Sequence, residues 1–383
     1  MNLKLTEEQE MIRRMALDFA EREVAPIAAE MDEKGEVPFD NIKKMGELGF
    51  LGLTTSEKYG GVGADTVSYC IAIEEIAKAC ASTAAVVAIQ NSLVNYGLER
   101  YGTEEQKRKF LVPLARGERI GAYALTEPEA GSDAASIRTM AVRDGDEYVI
   151  NGTKHFTTNG GFADIIIVYA TTDPSKGYKG IAAFLVEKGT PGFSVGKEEI
   201  KMGIRATNTC ELIFQDCRVP VENRLGEEGQ GFKIALSSLD AGRIGIGAQA
   251  VGIAQAAYEA SLEYARTRVQ FGQPIAKFQA IQWMLADMAT RIEAARLLVY
   301  NAALAKDRAG ETGARYSKEA AMAKLFASET AMWVTTKAIQ IHGGYGYMKE
   351  YLVERYFRDA KITEIYEGTN EIQRIVIANS ILR

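Results

Sequence analysis

The chain has 383 residues, 47% hydrophobic and 25% charged, which is long enough for two or three globular domains and free of the bias of a disordered chain. Its net charge of −6, with lysines and arginines scattered, leaves no basic stripe for nucleic acid. Four unclustered cysteines and only two histidines exclude a zinc cluster, a disulfide framework and a readily built hydrolase triad, so any chemistry falls to carboxylates or a cofactor.

The opening segment, MNLKLTEEQEMIRRMALDFAEREVAP, enters an amphipathic helix with acids in its first turn and lacks the apolar core of a secretory signal. No apolar run approaches the roughly 18 residues that insertion into a membrane requires. A cytoplasmic protein is the expectation, although a processed organellar form would read the same.

Apolar residues recur at three- and four-residue steps over 8–28, 39–48, 65–79, 84–101 and 104–116, separated by Gly-rich turns. From Ile120 the texture changes to six short β-branched and aromatic runs, with a hairpin turn at Asp144-Gly145, which predicts a β-sandwich or barrel. After Gly226–Phe232 an Ala- and Leu-rich helical texture returns near 231–267, 276–308, 316–341 and 370–381. The expected architecture is α+β and multidomain: a helical domain over 1–120, a β domain over 121–230 and a helical bundle over 231–383.

Gly245, Gly247 and Ala250 match a dinucleotide fingerprint, but they lie inside a helical run with no preceding strand, so the reading is close helix packing. The segment Tyr123–Ser136 (YALTEPEAGSDAAS) offers hydroxyls at Thr126 and Ser132 and backbone donors around Gly131, a pattern that suits an anionic or heteroaromatic ligand as well as an ordinary turn. His155–Gly161 (HFTTNGG) sets hydroxyls beside an aromatic. In Ala265–Gln279, Arg266, Arg268 and Phe271 precede a break at Gly272-Gln273-Pro274, a pairing suited to a phosphate beside an adenine ring and equally to a solvated surface. Gln340–Tyr347 (QIHGGYGY) ends a helix on glycines.

The most informative stretch is Ile362–Arg374, ITEIYEGTNEIQR. It places Glu367 on a Gly-flanked turn before a helix whose capping box is expected to run from Asn370 to Gln373. Locally, a solvated loop acid and a substrate-facing base both fit.

Together YALTEPEAGSD, FTTNGG, RVQFG with Phe278-Gln279, QIHGGYGY and IYEGTNEIQR occur in one order and spacing, and over essentially its whole length the chain resembles the acyl-CoA dehydrogenase family. The resemblance implies a helical domain, a middle β domain and a C-terminal four-helix bundle, assembled as a homotetramer with FAD in each subunit and no metal. It places Tyr123, Leu125, Thr126, Gly131, Ser132, Phe156, Thr157 and Thr158 at the flavin ring, with Thr126 and Thr158 as hydrogen-bond partners. Arg268, Phe271, Gln279, Gln340, Gly343 and Gly344 look like the pyrophosphate and adenosine site, largely across a subunit interface, and Thr369 and Glu371 complete the cofactor site. Ser132, Asp240, Arg243, Tyr366 and Gly368 look like acyl-CoA contacts, and Gln90 and Tyr366 like limits on acyl pocket depth.

By the same resemblance Glu367 removes the α-proton of an acyl-CoA thioester, its own N–H and a flavin hydroxyl polarise the carbonyl, and flavin N5 accepts the β-hydride. The products are a trans-2-enoyl-CoA and reduced FAD, reoxidised by an electron-transfer flavoprotein. Gly242 stands where isovaleryl-type relatives carry the base, and Ala84 near where glutaryl-type relatives carry an arginine, so a short-chain substrate is expected. Phe156 stands where most relatives have Trp. A branched or cyclic acyl-CoA, an oxidase on the same fold, and a non-catalytic scaffold are the alternatives.

Overall fold

The computed structural model describes residues 4–382. Helix α1 (Glu7–Phe19) starts at Thr6, whose hydroxyl and the Gln9 amide cap each other's backbone. A π-helical turn, Ala20–Val24, joins it to α2 (Ala25–Lys34), so the first predicted helix runs six residues further than expected. There follow α3 (Phe39–Glu47), α4 (Thr66–Ala79), α5 (Ala81–Ala88), α6 (Tyr96–Tyr101), α7 (Glu104–Gln106) and α8 (Val112–Ala115), with a second π-helical stretch, Ile89–Asn95, between α5 and α6.

The middle of the chain forms β1 (Gly121–Ala124), β2 (Met140–Asp144), β3 (Glu147–Thr158), β4 (Ile165–Thr171), β5 (Ile181–Glu187), β6 (Phe193–Glu198), β7 (Thr209–Pro220) and β8 (Arg224–Leu225). These join in one continuous sheet of order β6-β7-β3-β2-β4-β5-β8, with β1 parallel to β4. The predicted hairpin is β2–β3, with Gly145 at φ +66°. Every residue of β4 is buried, because its two faces feed two separate apolar layers. Ile165, Ile167 and Tyr169 pack with Leu93, Leu98 and Ile234 of the helical regions, whereas Ile166 and Val168 pack with Phe184, Leu212 and Phe214.

The C-terminal region consists of α9 (Gly231–Thr267), α10 (Gln279–Thr312), α11 (Ser317–His342), α12 (Val353–Thr363) and α13 (Asn370–Ile381). Helix α9 is buried for most of its length between α4, α10 and α11. Gly247 and Gly252 make this possible: a Cβ at either would lie 2.9 Å from a Val299 methyl or 2.7 Å from the Ala77 methyl. A Cβ at Gly245 would likewise run into the Tyr69 hydroxyl, so Gly245 and Gly247, which mimic a dinucleotide motif, are packing contacts, as the sequence indicated. At 1.5 Å per residue α9 spans about 55 Å and connects the sheet to the far end of the bundle.

Candidate active site

The turn after α12 carries Glu367 at φ +53° and Gly368 at φ +92°. A left-handed, non-glycine residue costs about 1 kcal/mol or more and persists only where surroundings hold it. Here they do. The Gly368 carbonyl accepts from Gln373 Nε2 at 2.7 Å and Lys324 Nζ at 3.0 Å, and the Glu367 carbonyl accepts more weakly from Arg243 Nε and Gln373 Nε2, each at 3.4 Å.

The expected cap is displaced by one residue. Thr369, not Asn370, is the N-cap of α13, its hydroxyl accepting from the Ile372 amide. Asn370 is buried in the first turn, where Oδ1 accepts from Lys324 at 2.9 Å and Ser328 at 3.0 Å. Gln373 reaches back to the two loop carbonyls and not to the Asn370 amide.

The Glu367 residue keeps part of its surface open, but Oε2 is out of contact with solvent and has no hydrogen-bond partner. It faces α9 at Gly242, where a Cβ would stand 2.7 Å from the carboxyl carbon. Burial pushes the Glu367 carboxyl up to about 8, partly opposed by the positive charges of Arg243 and Lys324. Arg243 is in turn held by Asp240 at 2.6 Å, and Asp240, raised by its own burial, also accepts from Ser317.

Beside Glu367, the Tyr366 hydroxyl donates to Gln249 Oε1, and Gln249 Nε2 donates to the Ala81 carbonyl at 2.7 Å. The Tyr69 ring lies against Gly245, one turn beyond Gly242 on α9. Gln90 is buried and bonded to backbone. It donates to the Leu114 carbonyl at 3.0 Å and accepts from the Gly121 amide at 2.9 Å, fastening α8 to β1.

The loop after β1 reaches the same region. Tyr123 donates to the Ala235 carbonyl of α9 at 3.2 Å, and its phenol is raised by burial, then by Tyr169 and the charge of Glu367. Leu125 is buried, Thr126 is part-exposed and accepts through its carbonyl from the His155 amide at 2.8 Å, and Gly131 and Ser132 lie exposed. Phe156 sits at a bulge in β3 with φ +55° and is 61% exposed. Thr158 is part-exposed, while the Thr157 side chain turns inward and its hydroxyl has no partner.

The remaining cofactor candidates form a separate group. Arg268, Gly343 and Gly344 line a cleft of about 460 Å³ with Tyr264, His342 and Tyr345, and the Arg268 guanidinium lies over the Tyr345 ring at 5.2 Å. Phe271, at φ +51° on the tip of the Val269–Pro274 hairpin, is 93% exposed, and Gln279, at the start of α10, and Gln340, in the last turn of α11, are exposed as well. Along α9, Arg243 and Arg268 are separated by about 37 Å. Thr369 and Glu371 stay with the Glu367 group.

Within each group, open space at Gly131 or at Gly272, Gly343 and Gly344, and a projecting ring, Phe156 or Phe271, suit part of a ligand with flat heteroaromatic ends and an anionic middle. No group of His, Cys, Asp and Glu suited to a metal occurs among the described residues. Sequence reading missed Lys324, Gln249 and the buried pair Lys154–Glu127. The last had a local signal, since Glu127 lies within one ligand-loop motif and Lys154 immediately precedes the other.

Sequence profiles of the N-terminal, middle and C-terminal domains of acyl-CoA dehydrogenases match residues 6–118, 122–217 and 229–382. The chain is 55% identical over 383 residues to the short-chain specific acyl-CoA dehydrogenase of Clostridium acetobutylicum, covering 100% of each. Its fold is similar to butyryl-CoA dehydrogenase from Megasphaera elsdenii, with a TM-score of 0.97, 51% identity and full coverage of both chains. It is also similar, at a TM-score of 0.98, 53% identity and full coverage of both, to a chain in the structure of the electron transferring flavoprotein of Acidaminococcus fermentans. Domain order, the Glu367 turn facing Gly242 and these similarities agree: the chain belongs to the acyl-CoA dehydrogenase family.

Proposed function

We propose that this enzyme uses FAD to dehydrogenate a short-chain acyl-CoA between Cα and Cβ, with Glu367 as the base. The observation that carries the reading is the unpartnered, solvent-shielded Oε2 of Glu367, held over a glycine. A thioester α-proton is a weak acid, and a carboxylate raised by burial is a stronger base than one in water. Among the described residues the Glu367 N–H has no acceptor, which leaves it to donate to the thioester carbonyl as charge develops there. Bound FAD supplies the hydride acceptor.

The other residues bind and exclude. Asp240 and Arg243 form the α9 side of the thioester site, with Ser132 and Gly368 as further acyl-CoA contacts. The Tyr366–Gln249–Ala81 chain and Tyr69 close the space beside the base, which supports an acyl group of about four carbons. The loop Tyr123–Ser132 and Phe156–Thr158 form the side on which the flavin ring is held. Arg268, which shares its cleft with Gly343 and Gly344, lies too far along α9 to serve the same flavin, so these residues, with Phe271, Gln279 and Gln340, are assigned to a partner subunit's cofactor.

A cytoplasmic homotetramer reoxidised by an electron-transfer flavoprotein completes the proposal; among the described residues no helix is long and apolar enough to cross a membrane. The test is an anaerobic titration of the flavin-loaded protein with butyryl-CoA, isobutyryl-CoA, glutaryl-CoA and octanoyl-CoA. Butyryl-CoA is expected to bleach the flavin most completely, and Glu367→Gln to keep the flavin yet lose about 10³-fold in rate. Substantial turnover by that variant, or no bleaching by butyryl-CoA, would overturn the reading.

A further inference from the structure

Lys324 lies on α11, fully buried at 0% exposure, and the proposed dehydrogenation assigns it no part. Both hydrogen bonds of its ammonium go to the turn that carries Glu367: 3.0 Å to the Gly368 carbonyl and 2.9 Å to Asn370 Oδ1. These acceptors are neutral, and a buried cation held only by neutral groups is expensive unless an opposite charge is close.

The charged groups facing it come from every element around it. Helix α9 presents Arg243, already paired with Asp240. The end of α12 presents Glu364, paired with Lys361 at 2.6 Å. Helix α13 presents exposed Glu371, which also feels Arg374. The turn presents Glu367, whose Oε2 has no partner. Of these carboxylates only Glu367 is both shielded from solvent and without a counter-ion.

We propose that Lys324 is the positioning residue of the base: its ammonium ties the Gly368 carbonyl to the Asn370 side chain and so clamps the left-handed turn, and it supplies the buried positive charge that favours ionised Glu367. This inference rests on Glu367 being the base. The electrostatics agree in direction. Burial pushes the Lys324 amine down, opposed first by Glu367, while burial pushes the Glu367 carboxyl up, opposed by Arg243 and Lys324. The two titrate as a pair, and removal of the ammonium leaves one nearby cation, itself committed to Asp240, to offset burial of the carboxylate.

The experiment compares wild type with Lys324→Met and Lys324→Gln in flavin-loaded protein, measuring kcat and KM for butyryl-CoA from pH 6 to 10, flavin content and melting temperature. Both variants are expected to move the acidic limb of kcat upward by about one pH unit. The loss in kcat is then about tenfold at pH 7 and smaller at pH 9. KM is expected to change little, because both hydrogen bonds of Lys324 are spent on the turn behind Glu367. The Gln variant, which keeps a donor for the turn, is expected to recover melting temperature but not the pH limb.

A purely structural lysine would scale activity down equally at all pH values and leave the limb where it was, in either variant. That result overturns the proposal, as does full recovery of the pH profile by Lys324→Gln. If Glu367→Gln remains active the base assignment fails first; if it is inactive while the Lys324 limbs stay put, only the role of Lys324 fails.

Discussion

At position 242 the missing side chain matters as much as the carboxylate opposite. Gly242 lies in the interior of α9, where alanine is intrinsically better by about 1 kcal/mol, so helix propensity favours Gly242→Ala. Sterics oppose it locally, because the added methyl would stand 2.7 Å from the Glu367 carboxyl carbon and the carboxylate would have to swing aside. The expected result is a fall of about 10²-fold in kcat/KM with flavin content and melting temperature nearly unchanged. An active Gly242→Ala enzyme would mean that the base tolerates displacement. At this scale Glu367 was legible in the sequence and Gly242 only in part. That 242 cannot hold a base follows from its being glycine, whereas that it must be empty follows from a contact spanning 125 positions.

Among elements, the loop between β1 and β2 shows how a candidate ligand segment is fixed without regular structure. Buried Glu127 accepts from the Arg138 and Thr139 amides at 2.6 and 3.0 Å and from Lys154 at 2.7 Å, while Lys154 also donates to the Leu125 carbonyl at 3.1 Å. Burial pushes the Lys154 amine down to about 8 with Glu127 opposing. Burial alone would raise Glu127, but Lys154 and the amides outweigh it and hold it low, so the pair is charged at neutral pH. Lys154→Met leaves Glu127 buried without its cation, a loss of about 3 kcal/mol. A melting temperature several degrees lower and a reduced flavin-to-protein absorbance ratio are expected; unchanged flavin retention would show that the loop does not depend on this clamp. The sequence marked both loop motifs but not the bond between them. Similarly, it placed the α13 cap one residue late, because Asn370 has a good capping side chain that tertiary partners Lys324 and Ser328 claim instead.

On the scale of the whole molecule, Arg243 beside the Glu367 turn and Arg268 in the distant cleft lie about 37 Å apart along α9, which sets the two groups of candidate cofactor residues apart. The separation, with large exposed apolar side chains at Phe271, Trp283, Tyr347 and Leu382 of the C-terminal region, supports an assembly in which one subunit completes another's flavin site. Arg268→Ala is then expected to weaken flavin retention by about tenfold while the Glu367 surroundings stay intact. In wild type, flavin release on dilution should follow dissociation of the assembly, measured by sedimentation alongside flavin fluorescence. A monomer that keeps its flavin fully at low concentration would contradict shared sites.

The sequence by itself determined the order of helical, β and helical regions, the hairpin at Asp144-Gly145, and the turn bearing Glu367. Each of these is written in local signals: hydrophobic period, turn residues, and glycines beside a carboxylate. It did not show that the six β runs make one continuous sheet, that Gln90 is a structural brace, or that Tyr366 is tied to Gln249. Nor did it show that the unpaired carboxylate of Glu367 shares its surroundings with a buried ammonium on α11. Those depend on which faces meet once α9, α11 and the turn are packed, and in that packed interior the loss of water, more than residue type, sets how Glu367 and Lys324 hold their protons.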